Sequence, residues 1–320
     1  MLRSLLIYLS KAAWARRIVT QWKFARRAAS RFVAGDTLED AVRVVNILNA
    51  KKINVSLDHL GEHTTNIEEA KKATQDILEI FEVIDKSGVR ANVSIKLTQI
   101  GLALGEEICE ENLKLILSEV KKRDTFLRLD MEDSKCVDTT LALYRRAREV
   151  CGCENVGVVI QSYLYRSQED VARLLENQTR VRICKGAYKE PAEIAFPRKA
   201  DVDANYDQLV KLLFDGALKA DSPRISEDGK VPPIPAIATH DEKRIEFAKR
   251  YAEQIGLPKD AFEFQMLYGI RQDLQEKLSQ EGFLVRTYVA YGTEWYPFYT
   301  RRLAERPANL WFFVSNFFKH

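Results

Sequence analysis

The feature that most constrains this chain is an eightfold alternation of two kinds of segment. Short runs rich in β-branched and aromatic residues recur at Ile53–Asp58, Ala91–Leu97, Phe126–Asp130, Val156–Gln161, Val181–Lys185, Ala236–Thr239, Phe262–Met266 and Leu284–Val289. Nearly all are followed by a segment with helical spacing of apolar residues: Ile67–Ser87, Glu110–Lys122, Val137–Val150, Gln168–Glu176, Asn205–Ala220, Glu242–Ile255, Arg271–Gln280 and Trp295–Glu305. Strands separated by helices pair in parallel, because the helix carries the chain back to the end from which it started. Eight such units point to a closed (β/α)8 barrel of the α/β class. An open, doubly wound sheet is the alternative, but no GxGxxG follows the first strand to support it. Barrels of this kind take about 250 residues. The 320-residue chain therefore divides into an N-terminal basic helical segment, residues 1–45, and a barrel domain, 46–320, that ends in an apolar tail, Trp311–Phe318. Glu190–Asp203 and the proline-rich Ser222–Pro235 read as loops.

Side chains on a strand alternate between two faces. Val55 and Leu57 oppose Asn54, Ser56 and Asp58. Val93, Ile95 and Leu97 oppose Asn92, Ser94 and Lys96. Leu127 and Leu129 oppose Arg128 and Asp130. The apolar sets should face the helices and the polar sets the interior. Asp58, Lys96 and Asp130 then stand near the C-terminal strand ends, where barrel enzymes carry their chemistry. Strand-end charges can simply meet solvent, but an Asp–Lys–Asp row on neighbouring strands pairs each charge. Gln161, Arg182, Lys185, His240, Gln265 and Tyr288 continue the row. On the last expected helix, Arg301 and Arg302 are either a solvated face or a fork that grips a carboxylate. With Lys96 they would make a site for a small anion.

A core of this size is affordable, since 46% of residues are apolar. A net charge of +3 marks the chain as neither a nucleic-acid binder nor a partner for acids. Charge is concentrated instead: residues 1–35 hold eight Lys or Arg and no Asp or Glu. Basic residues interrupt the apolar run there, so it is no signal peptide, and nothing approaches the roughly 20 apolar residues of a membrane span. It reads either as an amphipathic helix on an anionic membrane surface or as a helix packed on the body. The five cysteines show no metal-site spacing and read as thiols of a reducing, cytoplasmic compartment.

Eight segments, in order, resemble the successive signatures of proline dehydrogenases: LDHLGE (Leu57–Glu62), SIKLTQIG (Ser94–Gly101), RLDMEDS (Arg128–Ser134), VIQSYLYR (Val159–Arg166), RVRICKGAYKEP (Arg180–Pro191), ATHD (Ala238–Asp241), FEFQMLYGIR (Phe262–Arg271) and WYPFYTRRLAERPAN (Trp295–Asn309). The resemblance implies FAD in a distorted TIM-like barrel, oxidation of L-proline to 1-pyrroline-5-carboxylate, and electrons passed to a membrane quinone. It implies that Lys96, Arg301 and Arg302 bind the proline carboxylate, that Tyr288 and Leu267 pack on the ring, and that Tyr188 closes its far side. Asp130, Gln161, Arg182 and Lys185 would contact the flavin, with Gly186 and Ala187 beside them, and Thr239, His240 and Gln265 would line its site. Glu62 would pair with Arg301 as a gate. Bulk at Tyr288 should favour proline over 4-hydroxyproline. Two departures are small: Ala290 stands where the family pattern has proline, and Cys184 where it has Val or Leu. The first 45 residues carry no motif of the family. Peripheral contact with the inner face of the cell membrane, through the basic segment, completes the expectation. Two other readings fit less well: a lyase forming a Schiff base on Lys96 or Lys185, and an inert barrel with a nucleic-acid-binding N-terminus.

Overall fold

The computed structural model describes residues 30–61, 64–219, 222–296, 298 and 300. Eight parallel strands close into a barrel in sequence order. They are β1 Asn54–His59, β2 Ala91–Ile95, β3 Leu127–Leu129, β4 Val156–Gln161, β5 Arg180–Cys184, β6 Pro235–Ala238, β7 Glu263–Leu267 and β8 Leu284–Tyr291. The seam is closed by β1 and β8, with Ser56 level with Tyr288.

Helix α1, Leu38–Ala50, precedes the barrel; α2 Ile67–Ser87, α3 Glu106–Lys122, α4 Val137–Glu149, α5 Ser167–Glu176, α6 Lys199–Ala217, α7 Glu242–Ile255 and α8 Gln272–Gln280 follow successive strands. Their ends are set by local chemistry. Asn66 caps α2 by accepting the Glu69 N–H, and Gly88 ends it in the left-handed conformation that a glycine adopts without strain. Thr37 and Asp40 form a reciprocal capping box at the start of α1.

The apolar strand faces pack outward against the helices. Val55, Leu57, Val93, Ile95, Leu127 and Leu129 are sealed there in one continuous core that includes Ile77, Ile80, Phe81, Leu113 and Ile116 from α2 and α3. The barrel interior is different: it holds a charged, hydrogen-bonded filling instead of aliphatic layers. At its N-terminal end, Arg286 pairs with Glu263 at 3.0 Å, both fully buried. Arg286 also donates to the Gly229 carbonyl at 2.8 Å, and Asn92 donates to that of Lys230 at 2.8 Å. The loop before β6 therefore plugs the bottom of the barrel. Gly157 permits a further close approach there, since a Cβ would collide with the Arg180 carbonyl and the Arg128 guanidinium.

Two helix starts differ most from the sequence expectation. The expected loop Glu190–Asp203 is helical from Lys199 onward, a polar first turn that apolar spacing cannot reveal. Helix α3 begins at Glu106 instead of Glu110, again with an acidic first turn that suits the positive end of a helix. No helix among the described residues is long and apolar enough to cross a membrane.

Candidate active site

At the C-terminal end of the barrel the polar strand faces converge. Asp58, the last residue but one of β1, is fully buried. Lys96, one residue beyond β2, places its ammonium 3.0 and 3.2 Å from the two Asp58 oxygens. The same ammonium lies 3.4 Å from the Tyr288 hydroxyl and 4.0 Å from Asp130. Tyr288, from the middle of β8, donates to Asp130 at 2.7 Å. The other Asp130 oxygen accepts from Arg182 of β5 at 2.7 Å. Arg182 donates onward to Gln265 of β7 and to Ser94 at 3.2 Å, and its guanidinium lies 5.4 Å from the centre of the Tyr288 ring. Six strands, β1, β2, β3, β5, β7 and β8, thus supply one connected cluster from within the strand or from the residue just beyond it, because parity on each strand aims its alternate residues at the same axis.

Burial dominates the electrostatics. It pushes the Asp58 carboxyl above the usual carboxylate range, against the pull of Lys96. It also pushes the Tyr288 phenol well above its ordinary value, helped by the Asp130 charge. Tyr288 is therefore a neutral donor throughout the physiological range.

Around this cluster stand the remaining sequence-expected residues. Gln161 ends β4; its amide donates to the Met131 carbonyl at 3.3 Å, while its own oxygen is buried with no partner. Leu267 closes β7, its backbone N–H held at 2.9 Å by Nε2 of His240, which must carry its proton on the other nitrogen. Thr239 accepts the Asp241 N–H at 3.1 Å and so shapes the entry to α7. Lys185 sits somewhat apart, its ammonium between Asp203 and Asp241, the latter at 2.6 Å. Gly186 follows with φ +104°, pressed so closely on the Tyr163 ring that no side chain would fit. Ala187 and Tyr188 are half-buried in the same loop. Glu62, Arg301 and Arg302 lie outside the described residues.

Sequence reasoning missed three carboxylates that organise the barrel, Glu263 at its N-terminal end and Glu132 and Glu190 beside the site. Glu263 lies two residues before Gln265, so strand parity could have placed it inside. Glu132 accepts from the Thr98 N–H at 3.0 Å and from its hydroxyl, and Glu190 binds Ser134 at 2.8 and 2.7 Å. These last two lie in loops, where no periodicity marks the direction of a side chain.

This arrangement can hold a small anion beside Lys96 and a planar polar group against Arg182, Gln161 and Gln265. The profile of the family described as proline dehydrogenase matches residues 41–314 of the chain. The chain belongs to the proline dehydrogenase family. Proline dehydrogenase 1 of Bacillus subtilis (strain 168) is 38% identical over 325 residues, covering 100% of both chains. Proline dehydrogenase of Deinococcus radiodurans is 41% identical over 294 residues, covering 91% of this chain and 90% of its own. Among solved structures, proline utilization A of Bdellovibrio bacteriovorus, inactivated by N-propargylglycine, superposes with a TM-score of 0.78 at 25% identity. That match covers 88% of this chain, which spans only 33% of the larger protein. As a proline dehydrogenase, the chain is an oxidoreductase acting on proline, in the first step of proline catabolism.

Proposed function

We propose that the chain oxidises L-proline to 1-pyrroline-5-carboxylate with FAD bound at the C-terminal end of the barrel and a quinone as the final acceptor. The observation that carries this reading is the joining of Lys96, Asp130, Arg182 and Tyr288 in one buried hydrogen-bonded cluster in a chain of this family.

The residues present fit a flavin. A buried acceptor with no partner, Gln161 Oε1, suits a ring that offers an N–H group, and Arg182 offers donors fixed in place by Asp130 and Gln265. Asp130, Gln161, Arg182, Lys185, Gly186, Ala187, Thr239, His240 and Gln265 would hold it. When bound, FAD would supply the acceptor for the hydride that leaves the proline ring carbon beside nitrogen.

The protein contributes orientation and charge. Lys96 anchors one side of the proline carboxylate, and Arg301 and Arg302 would grip it from the other. Tyr288 and Leu267 pack on the ring, and Tyr188 covers it, which excludes water. The amine must be neutral for the hydride to leave, and the cations around the carboxylate disfavour its protonated form. A gating pair of Glu62 with Arg301, and peripheral docking of residues 1–45 on an anionic cytoplasmic membrane face, belong to the same proposal. Neither Lys96 nor Lys185 is set up as a Schiff-base nucleophile. Each ammonium faces carboxylates, whereas such lysines are activated by apolar surroundings or neighbouring cations.

The test is product release. Incubation with L-proline and a soluble quinone should yield 1-pyrroline-5-carboxylate, trapped as its coloured ortho-aminobenzaldehyde adduct. No adduct above the enzyme-free control would refute the proposal.

A further inference from the structure

The segment from Lys185 to Arg198, between β5 and α6, contains no helix or strand of its own, yet it carries Gly186, Ala187 and Tyr188. A segment of this kind is costly to order, so something must hold it. Its far half lies along the β4–α5 turn: the Phe196 N–H donates to the Tyr163 carbonyl at 2.8 Å, and the Tyr165 N–H to that of Ile194 at 3.1 Å. Its near half is tied to the same turn at Lys185, whose carbonyl accepts the Tyr163 N–H at 3.0 Å, and to the Ser134 turn at Glu190. Glu190, two residues after Tyr188, accepts from the Ser134 N–H at 2.8 Å and from the Ser134 hydroxyl at 2.7 Å. The Tyr163 hydroxyl donates to the same carboxylate at 3.4 Å.

Ser134 is itself well placed to be an anchor. It opens the short 3-10 turn Ser134–Cys136 at the head of α4, a turn capped by Asp133. It also ends the segment Asp130–Ser134, whose other acids are already committed. Asp130 ties β5 and β8 to β3, and Glu132 ties down the Lys96 loop through Thr98. The Ser134–Glu190 contact adds the third tie, so one five-residue stretch fixes both loops that flank the site.

We infer that Glu190 is a positioning residue, a clasp on Ser134 that holds the Tyr188 loop over the substrate. The inference rests on the proposed role of Tyr188 at the proline ring. With the clasp open, the loop would leave the mouth for part of the time, and binding would weaken more than turnover. Glu190→Gln keeps an oxygen for the Ser134 N–H and an amide that the serine hydroxyl can accept, so it should restore much of the contact.

The experiment compares wild type, Glu190→Ala, Glu190→Gln and Ser134→Ala as holoenzymes. In Glu190→Ala the KM for proline should rise about 5- to 50-fold, on the scale of one or two hydrogen bonds to a charged group, with a smaller change in kcat. Ser134→Ala should show a weaker form of the same defect, and Glu190→Gln should recover most of it. In parallel, trypsin should cut after Lys189, an exposed residue within the loop, faster in Ser134→Ala, which leaves the residues around the cut unchanged, than in wild type. Equal KM values and equal cleavage rates, with both proteins folded, would overturn the clasp. So would a glutamine variant as impaired as the alanine one. If wild type bound no flavin and did not oxidise proline, the proposed function would fall, and the cleavage rates would still decide whether Glu190 holds the loop.

Discussion

Lys96 and Asp58 face each other inside the barrel, the ammonium 3.0 and 3.2 Å from the two carboxylate oxygens, with Asp58 wholly shut off from solvent. The pair explains how a lysine can stand charged in a closed interior and still reach toward substrate. It also predicts a pH signature. Burial holds the Asp58 carboxyl above its usual range, and Lys96 is the strongest opposing influence. With its folded value above its unfolded one, this carboxyl favours the folded state at low pH. That contribution is lost as pH rises from the unfolded value through the folded one. Lys96→Met removes the opposing charge and raises the folded value further. The variant should therefore lose little stability near about pH 4 and about 3–5 kcal/mol near neutrality, the usual penalty for a buried charge left alone. Urea denaturation across that range measures it. A deficit that does not grow with pH would refute the pairing argument.

Tyr288 combines a bulky ring with a hydroxyl committed to Asp130. The ring should exclude the extra hydroxyl of 4-hydroxyproline, a penalty of roughly 1–3 kcal/mol when that group is buried without a good partner. Wild type should prefer proline clearly. Tyr288→Ser should narrow the gap, mainly by losing activity toward proline. The ratio of the two kcat/KM values checks this, and an unchanged ratio would leave Tyr288 a packing residue only.

Much of this was legible in the sequence, and the pattern of success has a physical cause. Helices α2 and α7 were bounded correctly because capping residues mark their ends: Asn66 and Gly88 for one, Asp241 and Gly256 for the other. The inward set Asp58, Lys96, Asp130, Arg182, Gln265 and Tyr288 was readable because strand parity is strict and a polar residue opposite an apolar neighbour has one place to go. Helix α1 was hidden. Its capping box at Thr37 and Asp40 follows directly on a basic stretch that drew the reading toward membrane contact. The ties from Glu132 to Thr98 and from Glu190 to Ser134 join positions 34 and 56 residues apart, and no local rule links such partners.

The floor of the barrel offers a test of packing alone. Gly157 leaves room for the Arg128 guanidinium and the Arg180 backbone. Gly157→Ala would force a methyl group against a backbone carbonyl that cannot swing aside. Overpacking of this kind costs roughly 1–3 kcal/mol. Thermal unfolding should show a lower Tm for the variant, whereas KM for proline should change little, because the position is remote from Lys96. An unchanged Tm would mean that the floor is looser than its contacts indicate.

The central claim is that Lys96, Asp130, Arg182 and Tyr288 serve a flavin that oxidises proline, and a single titration addresses it directly. Purified protein, reconstituted with FAD if necessary, is placed under anaerobic conditions and its visible spectrum is followed as L-proline is added. The account predicts a yellow protein whose flavin absorbance is bleached by L-proline, with 4-hydroxyproline much less effective. A colourless protein that cannot take up FAD, or a bound flavin that stays oxidised in excess L-proline, would contradict it.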